Sequence, residues 1–283
     1  MNKKKLLSLI LTLGLSLSLA ACGDSGAAEP SVSGSSAGEP SGEAVTLTVA
    51  ASPTPHAEIL NQVKDVLAEQ GVNLVVQEYT DYVMPNTAVE EGEADANYFQ
   101  HTPYLENFNA EHGTHLVSVA PVHYEPMGIY AGKTASIDEL ADGATIAIPN
   151  DATNEGRALL LLEAQGLIQL ADSSNLESTP RDIAENPKNL EFLEVEAAMV
   201  PKSMDDVDLA VINANYALQN DLDPVNDPIA IESAEGTPYP NVLVVKEGNE
   251  NSEAIQALVQ ALQSDAVRDY INETYGGAVV PLF

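Results

Sequence analysis

The segment TLTVAASPTPHAEILNQVKDVLAEQGVNLVVQEY, at residues 46–79, decides the fold class. Its first six residues form a short apolar run that is typical of a buried strand. The apolar residues between positions 59 and 67 then recur at helical spacing, and Gly71 follows where a helix C-cap is expected. A second strand-like run begins at residue 73. The order strand, helix, strand is typical of an open α/β sheet.

The same alternation continues to the C-terminus. Further strand-like runs cover residues 95–99, 116–122, 145–149, 190–195, 208–213 and 241–245, with helices predicted near 84–91, after Pro103, through 159–162, around Met199 and at the C-terminal end. Two series of this kind predict two α/β lobes, at residues 45–128 with 241–283 and at residues 129–240. The connections between the lobes are expected near residues 127–131 and 239–244. A cleft between two such lobes is the natural place for a ligand.

Composition excludes several classes of protein. The 283 residues carry 43 Asp and Glu against 11 Lys and Arg, a formal net charge of −32. Because each phosphate contact needs a nearby cation, this charge argues against a nucleic-acid partner. The single cysteine, Cys22, cannot form an intrachain disulfide or a thiolate zinc site by itself. Packing must therefore hold the fold together.

The N-terminus predicts export and a lipid anchor. Three lysines at residues 3–5 precede an apolar run at 6–19, the layout of a signal peptide over residues 1–21. The apolar run is short for a membrane-spanning helix. The string LAAC at 19–22 resembles the lipobox of bacterial lipoproteins, which makes Cys22 the lipidated residue and places the protein on the extracytoplasmic face of the cell membrane. The alternative is an ordinary secreted protein with a chance cysteine. Residues 22–44, rich in Gly, Ser and Pro, are expected to form a flexible linker.

The segment IPNDATNEGRALLLL, at residues 148–162, predicts a site for an anion. A strand ends near Pro149, Thr153 or Asn154 caps a helix, and Arg157 falls in the first turn. Since a helix N-terminus favours negative charge, a guanidinium placed there makes a site for a planar carboxylate. The alternative is that Arg157 is a solvated surface residue.

Aromatic side chains gather at two predicted strand ends. Tyr82 follows one strand, while Phe99, His101 and Tyr104 follow the next. Because the carboxyl ends of strands in an open α/β sheet face the crevice, we expect these rings to line an apolar pocket there. The alternative is that they are ordinary core aromatics.

Three asparagines lie near the other strand ends, Asn213, Asn215 and Asn241. An amide offers both a donor and an acceptor, which suits the ammonium and carboxylate groups of a zwitterion without adding charge. Alternatively, these asparagines cap helices or form turns.

Several motifs carry a resemblance to a known family. They are DANYFQHTPYL at 95–105, HYEPMGIY at 123–130, IPNDATNEGRALLLL at 148–162, AVINANYAL at 210–218 and GGAVVP at 276–281. Over residues 45–283 the chain resembles the NlpA-type methionine-binding lipoproteins of ABC importers. The resemblance implies a two-lobed periplasmic-binding-protein-like (type II) fold with the ligand cleft between the lobes. It also implies a binding protein and not an enzyme, with no cofactor and no metal. Ala152 departs from the family pattern, in which many members carry proline.

The resemblance further implies roles for particular residues. Arg157 would bind the ligand carboxylate, and Asn213 or Asn215, with Asn241, would hold the polar end. Tyr82, Phe99, His101 and Tyr104 would enclose the side chain, and Asn154 is also included in the ligand-binding set. The expected ligand is methionine, usually its L form. The expected partners are an ABC permease with its ATPase and the membrane, through the anchor on Cys22, for a protein that is itself a monomer.

Two other functions are weighed against this one. A metal-ion receptor is suggested by His112 and His115, flanked in sequence by His101 and His123, although zinc sites need three or four ligands held by a second shell. A secreted hydrolase would need a nucleophile with a base in reach, and no residue spacing indicates one. The GSSAG string at 34–38 lacks the strand and helix that a nucleophile elbow requires.

The acidic run at residues 221–227, taken with Glu232, has some features of a calcium loop. Val225 stands where a ligand is needed and the loop glycine is missing. We therefore expect a solvated acidic turn. A surface adhesin would leave Arg157, Asn241 and the aromatic set without a role.

Overall fold

The computed structural model describes residues 44–283, which form two mixed sheets with helices packed against them. The predicted signal peptide at 1–21, Cys22 and the predicted linker up to residue 43 lie outside the described residues. Within residues 44–283 no helix combines the length and apolar character needed to cross a membrane.

The strands and helices follow the predicted alternation closely. The strands are β1 Val45–Ala51, β2 Val72–Glu78, β3 Ala96–His101, β4 Leu116–Tyr124, β5 Gly128–Ala131, β6 Thr145–Pro149, β7 Gln169–Leu170, β8 Ile183–Glu185, β9 Glu191–Val195, β10 Leu209–Ile212, β11 Ala230–Ile231, β12 Asn241–Lys246 and β13 Val280–Pro281. The α-helices are α1 Glu58–Gln62, α2 Lys64–Glu69, α3 Met84–Glu91, α4 Thr102–His112, α5 Ala152–Ala164, α6 Ala214–Leu218, α7 Glu253–Leu262 and α8 Asp265–Tyr275.

The first sheet has the strand order β13-β4-β12-β3-β1-β2. Strand β1 is parallel to both β2 and β3, as the strand, helix, strand pattern predicts. Its buried residues Leu47 and Val49 pack in one cluster with Ile59 of α1 and Leu258 of α7. Strand β12 enters between β3 and β4 and is antiparallel to both. The end of β3, at His101, pairs with the start of β12, at Asn241.

The second sheet has the order β11-β5-β10-β6-β9 and is covered on one face by α5. Leu159 and Leu162 of this helix are fully buried in one cluster with Ile146 and Ile148 of β6. Strand β6 is parallel to β9 and β10, so their carboxyl ends lie at one edge. A further pair, β7 with β8, forms a separate two-stranded sheet.

The chain passes from the first sheet to the second at residues 125–127 and returns at residues 232–240. The predicted connection at 127–131 therefore contains a strand, β5, that pairs with β10. The described residues, 44–283, belong to one compact unit. The domain limits 45–128 with 241–283, and 129–240, accordingly stay a prediction.

Two predicted helices differ from the structure. The helix expected over residues 59–67 is divided into α1 and α2 at Val63, which has φ −101° and ψ 0°. The helix expected around Met199 consists of two 3₁₀ turns, Ala197–Met199 and Pro201–Asp206. A proline at residue 201 removes one backbone donor from any continuous helix there.

Candidate functional site

A small cavity is lined by residues of the first sheet and by residues that follow strands of the second. As it stands, the cavity has room for about one water-sized molecule, so a larger ligand requires its walls to move apart. The lining residues are Tyr82, Phe99, Gln100, His101, Tyr104, Glu125, Asn154, Arg157, Asn213, Ala214, Asn215 and Asn241. The structure thus brings together all nine residues that the sequence predicted for a ligand site. That they contact a ligand remains a proposal.

One wall of the cavity is aromatic. The ring of Tyr82 lies with its centroid 5.9 Å from those of Phe99 and Tyr104, and 4.9 Å from that of Tyr216. The Tyr104 hydroxyl donates to the carbonyl oxygen of Tyr82 at 2.9 Å, which holds the loop after β2 in place. Because aromatic pairs at these separations attract one another, the wall is pre-formed.

A chain of polar contacts links His101 at the end of β3 to the second sheet. Nδ1 of His101 accepts a hydrogen bond from the backbone N–H of Tyr104, so Nε2 is the nitrogen that donates to Oδ1 of Asn154, at 3.2 Å. The same Asn154 oxygen accepts from Nδ2 of Asn213 at 2.8 Å. Burial, and then the charge of Arg157, lower the pKa of His101 to about 3, so this ring is neutral.

Helix α5 begins two or three residues earlier than the sequence suggested. Its N-cap is Asp151, whose carboxylate accepts from the backbone N–H of Asn154 at 3.1 Å. The cap predicted at Thr153 or Asn154 is therefore wrong. Arg157 is the sixth helical residue and lies in the second turn, not the first. Asp151 is the better cap because its side chain reaches the N3 donor.

The guanidinium of Arg157 is buried, with 3% of the residue exposed. Its Nε donates to both carboxylate oxygens of Glu232 at 3.1 Å, and its Nη2 lies 2.5 Å from Oε2 of Glu232. Nη2 also donates to the carbonyl oxygen of Glu125 at 2.7 Å. Burial alone would lower the pKa of Arg157, but Glu232 outweighs it and the pKa is raised. One edge of the guanidinium is thus paired within the protein, and Nη1 has no partner among residues 44–283.

Two buried amide atoms at the cavity have no hydrogen-bond partner within the described part of the chain. They are Oδ1 of Asn213, an acceptor, and Nδ2 of Asn215, a donor. The oxygen of the Asn215 amide, Oδ1, accepts from the Tyr82 hydroxyl at 2.6 Å. Because an unsatisfied buried polar atom is costly, such atoms at a cavity are suited to contacts with a polar ligand.

A buried acidic group also faces the cavity. Oε1 of Glu125 lies 2.7 Å from Nε2 of His123 and 3.3 Å from Nε2 of His56. Nδ1 of His123 is hydrogen-bonded to the Tyr98 hydroxyl, and Nε2 of His56 lies 2.9 Å from Oδ1 of Asn241. Burial lowers the pKa of His56 to about 4 and that of His123 to about 3, and burial raises the pKa of Glu125. Both imidazoles are therefore neutral, and Nε2 of His123 donates to Glu125 whereas Nε2 of His56 donates to Oδ1 of Asn241.

The three side chains His56, His123 and Glu125 also have the composition of a metal site, since their ligand atoms lie within 4.8 Å of one another. Nε2 of His123 and Oε1 of Glu125 already share a hydrogen bond, and Nε2 of His56 is hydrogen-bonded to Asn241. Of the histidines suspected from the sequence, His123 belongs to this group and His101 lines the cavity, whereas His112 and His115 are exposed at the end of α4 and in the turn after it. Nδ1 of His115 lies 3.4 Å from Oε1 of Glu90, and neither residue lines the cavity.

Sequence reasoning missed Glu125, Gln100 and Glu232 as members or neighbours of the site. Glu125 falls within the HYEPMGIY motif, which was the available signal. Glu232 was considered only as part of an acidic loop. In the structure the acidic turn is closed by its own contacts, with Asp223 and Asp227 hydrogen-bonded to each other's backbone, and Glu232 instead pairs with Arg157.

Comparison with protein families and curated relatives gives a consistent result. The profile of the family described as NlpA lipoprotein matches residues 47–283. The methionine-binding lipoprotein MetQ of Bacillus subtilis (strain 168) is 41% identical over 283 residues, covering 99% of each chain. The D-methionine-binding lipoprotein MetQ of Escherichia coli (strain K12) is 44% identical over 212 residues, which cover 74% of this chain and 78% of that one.

A solved structure is similar over the folded part of the chain. It is a nutrient-binding protein from Burkholderia cenocepacia bound to methionine, with a TM-score of 0.80 and 41% sequence identity. The match covers 84% of this chain and 100% of that one.

Proposed function

Because the chain belongs to the NlpA lipoprotein family, we propose that it is a lipid-anchored substrate-binding protein of an ABC importer and that its ligand is methionine. The relatives named above are described as binding lipoproteins, and the family is one of binding proteins rather than enzymes. One observation carries the choice of ligand. A buried guanidinium and a buried carboxylate line the same cavity as an aromatic wall.

The cavity supports a specific arrangement of the polar end of methionine. The ligand carboxylate accepts from Nη1 of Arg157 and from Nδ2 of Asn215, two donors at the cavity that make no hydrogen bond among residues 44–283. The ammonium group donates to Glu125 and to Oδ1 of Asn213, with Asn241 beside them. Each charge of the zwitterion then meets an opposite charge or a dipole of the correct sign.

The side chain of the ligand lies against Tyr82, Phe99 and Tyr104, with His101 closing the wall. A thioether sulfur near an aromatic edge gains about 0.3–1.5 kcal/mol per contact, which favours methionine over a purely aliphatic amino acid. His101 is neutral and contributes a ring with nitrogen atoms at its edge. Oδ1 of Asn154 is hydrogen-bonded to both His101 and Asn213 and so holds these two side chains in place.

We further propose that residues 45–128 with 241–283 and residues 129–240 are two lobes that close around the ligand. Contacts of the cavity residues across the two sheets, such as that of Tyr82 with Asn215, support this division. Closure requires only that the ligand bind the closed form more tightly than the open one. The closed monomer, anchored through Cys22, then docks on the permease and ATPase of the importer, at the extracytoplasmic face of the membrane.

The stereochemistry of the ligand is part of the proposal. We assign L-methionine as the preferred form, although the E. coli relative is named for the D form. One experiment tests both the ligand and its configuration. The protein is purified without denaturant, then denatured, and the released small molecules are identified by mass spectrometry after chiral chromatography.

We expect L-methionine in stoichiometric amount from the parent protein and little from the Arg157→Ala variant. Arg181→Ala is the matched control, because Arg181 is exposed in a 3₁₀ turn and does not line the cavity. A different amino acid, or a metal ion without an amino acid, would overturn the assignment.

A further inference from the structure

We propose that Glu232 is a positioning residue that holds the Arg157 guanidinium so that Nη1 alone is presented to the ligand carboxylate. The proposal rests on the proposed function, since it concerns how the same cavity recognises a free amino acid. It assigns a role to a residue that does not line the cavity itself.

Glu232 and Arg157 pair along one edge of the guanidinium. Glu232 binds Nε and Nη2 of Arg157 with both of its carboxylate oxygens. A guanidinium has two edges that can pair side by side with a carboxylate, the Nε–Nη edge and the Nη1–Nη2 edge. Glu232 occupies the first edge, and the carbonyl oxygen of Glu125 takes a further contact on Nη2. Nη1 is therefore the guanidinium nitrogen that remains for a ligand. To take the place of Glu232, a ligand carboxylate would have to break the three hydrogen bonds between Glu232 and Arg157.

Glu232 is itself fixed at the junction of the two sheets. Its Oε2 accepts from the Tyr124 hydroxyl at 2.7 Å and from the backbone N–H of Met127 at 3.2 Å. Its own backbone N–H donates to the carbonyl oxygen of Met127 at 2.9 Å. Met127 and Glu232 belong to the two segments that connect the sheets, and Tyr124 is the last residue of β4. The pair with Arg157 therefore ties the carboxylate-binding group to both connections at once.

Two tyrosine rings pack near the guanidinium of Arg157. The Arg157 guanidinium carbon lies 4.3 Å from the ring centroid of Tyr239, and 5.8 Å from that of Tyr124. With Glu232 on its edge and Tyr239 on its face, the planar group has no freedom to turn. The side chain of Glu232 is 16% exposed, so its charge is only partly screened by water. A guanidinium that is already fixed loses no conformational entropy when it binds a ligand carboxylate, so it binds the carboxylate more tightly than a mobile guanidinium would.

The test compares two ligands on the Glu232→Gln variant. L-Methionine carries the carboxylate, whereas L-methioninamide replaces it with a neutral amide and keeps the ammonium group and the thioether. We expect the affinity for L-methionine to fall by about tenfold or more, because a buried charge pair has lost one partner. The affinity for L-methioninamide should change by less than about twofold. Glu235→Gln is the matched control, since Glu235 is exposed on the same segment.

A purely structural role for Glu232 predicts a different pattern. Both ligands would then lose affinity equally, and that result would overturn the proposal. A rise in affinity for L-methionine would also overturn it, because it would mean that Glu232 competes with the ligand for Arg157. If the parent protein binds neither ligand, the proposed function fails, and this outcome is separate from a failure of the Glu232 assignment.

A second variant covers the case in which Glu232→Gln does not fold. Tyr124→Phe removes the hydroxyl that holds Oε2 of Glu232 but keeps the ion pair and the ring beside Arg157. We expect a smaller loss that is again confined to L-methionine. Equal affinities of this folded variant and the parent for L-methionine would contradict the proposal.

Discussion

The hydroxyl of Tyr82 lies 2.6 Å from Oδ1 of Asn215 and donates a hydrogen bond to it. The first residue stands in the loop after β2 of the first sheet, and the second in α6 after β10 of the second. Beside this bond the Tyr216 hydroxyl donates to the carbonyl oxygen of Thr80 at 3.1 Å. Two hydrogen bonds therefore join the sheets at the aromatic wall of the cavity.

Replacing Tyr82 with phenylalanine tests the importance of this link. The ring stays, but Oδ1 of Asn215 loses its donor, so methionine affinity should fall by about 1 kcal/mol, the usual net value of one such bond. Isothermal titration calorimetry measures the change. Tyr79→Phe is the control, because its hydroxyl makes only a 3.3 Å contact with Gln77 outside the cavity. Equal affinities for Tyr82→Phe and the parent would show that the bond contributes nothing to binding.

Glu155 in the first turn of α5 gives a prediction about pH. Burial, followed by the charges of Glu194 and Asp151, raises the pKa of its carboxyl to about 7 from an ordinary value of 4.5. The folded protein thus binds this proton more tightly than the unfolded chain, so Glu155 costs stability progressively as the pH rises from 4.5 to about 7. Glu155→Gln should remove that cost and raise the Tm at about pH 8 more than at about pH 5.

The matched variant for this experiment is Glu106→Gln, an exposed glutamate on α4. Its Tm difference from the parent should be the same at both pH values. If Glu155→Gln gave a larger gain at the lower pH, the sign of the effect would be opposite to that expected from a buried carboxyl.

Gly156, next to Arg157, gives a prediction about packing. A Cβ atom built at this position would lie 2.2 Å from the carbonyl oxygen of Leu176. Because that atom belongs to the backbone, Gly156→Ala should destabilise the protein by about 1–3 kcal/mol or more. The clash outweighs the gain of about 1 kcal/mol that alanine brings to a helix interior. Urea unfolding measures the difference, and a variant more stable than the parent would contradict the close approach of α5 to residue 176.

A chelator experiment addresses the buried group of His56, His123 and Glu125. Oε1 of Glu125 and the Nε2 atoms of both histidines already take part in hydrogen bonds, although Nδ1 of His56 has no partner in the described part of the chain. Dialysis against EDTA should therefore leave the methionine affinity unchanged. A loss of affinity that Zn²⁺ restores would instead show that this group is a metal site required for binding.

Most of the fold could be predicted because it is built from local patterns. The apolar run of β1, the helical spacing after it and the run of β2 each identify their own element without reference to the rest of the chain. Strand β5 was not predicted because Gly128–Ala131 is too short to show an alternation and follows the connection at residues 125–127. Its pairing with β10 depends on residues far along the chain.

The site was predictable in part for the same kind of reason. His101 is the last residue of one strand and Asn213 directly follows another, and strand ends of an α/β sheet converge on one crevice. The partner of Arg157 was not predictable. Glu232 lies 75 residues further along the chain and is one of 43 acidic residues, so no local pattern separates it from the others. Only the three-dimensional arrangement shows that one edge of the guanidinium is already paired.

The most direct test of this account is a calorimetric titration of ligand-free protein with L-methionine, repeated on Arg157→Ala and on the exposed control Arg181→Ala. We predict saturable single-site binding to the parent and to Arg181→Ala, weakened by about 2–5 kcal/mol in Arg157→Ala. Affinity for L-methionine within about a factor of two of the parent in Arg157→Ala, or no binding to the parent protein at all, would contradict the account.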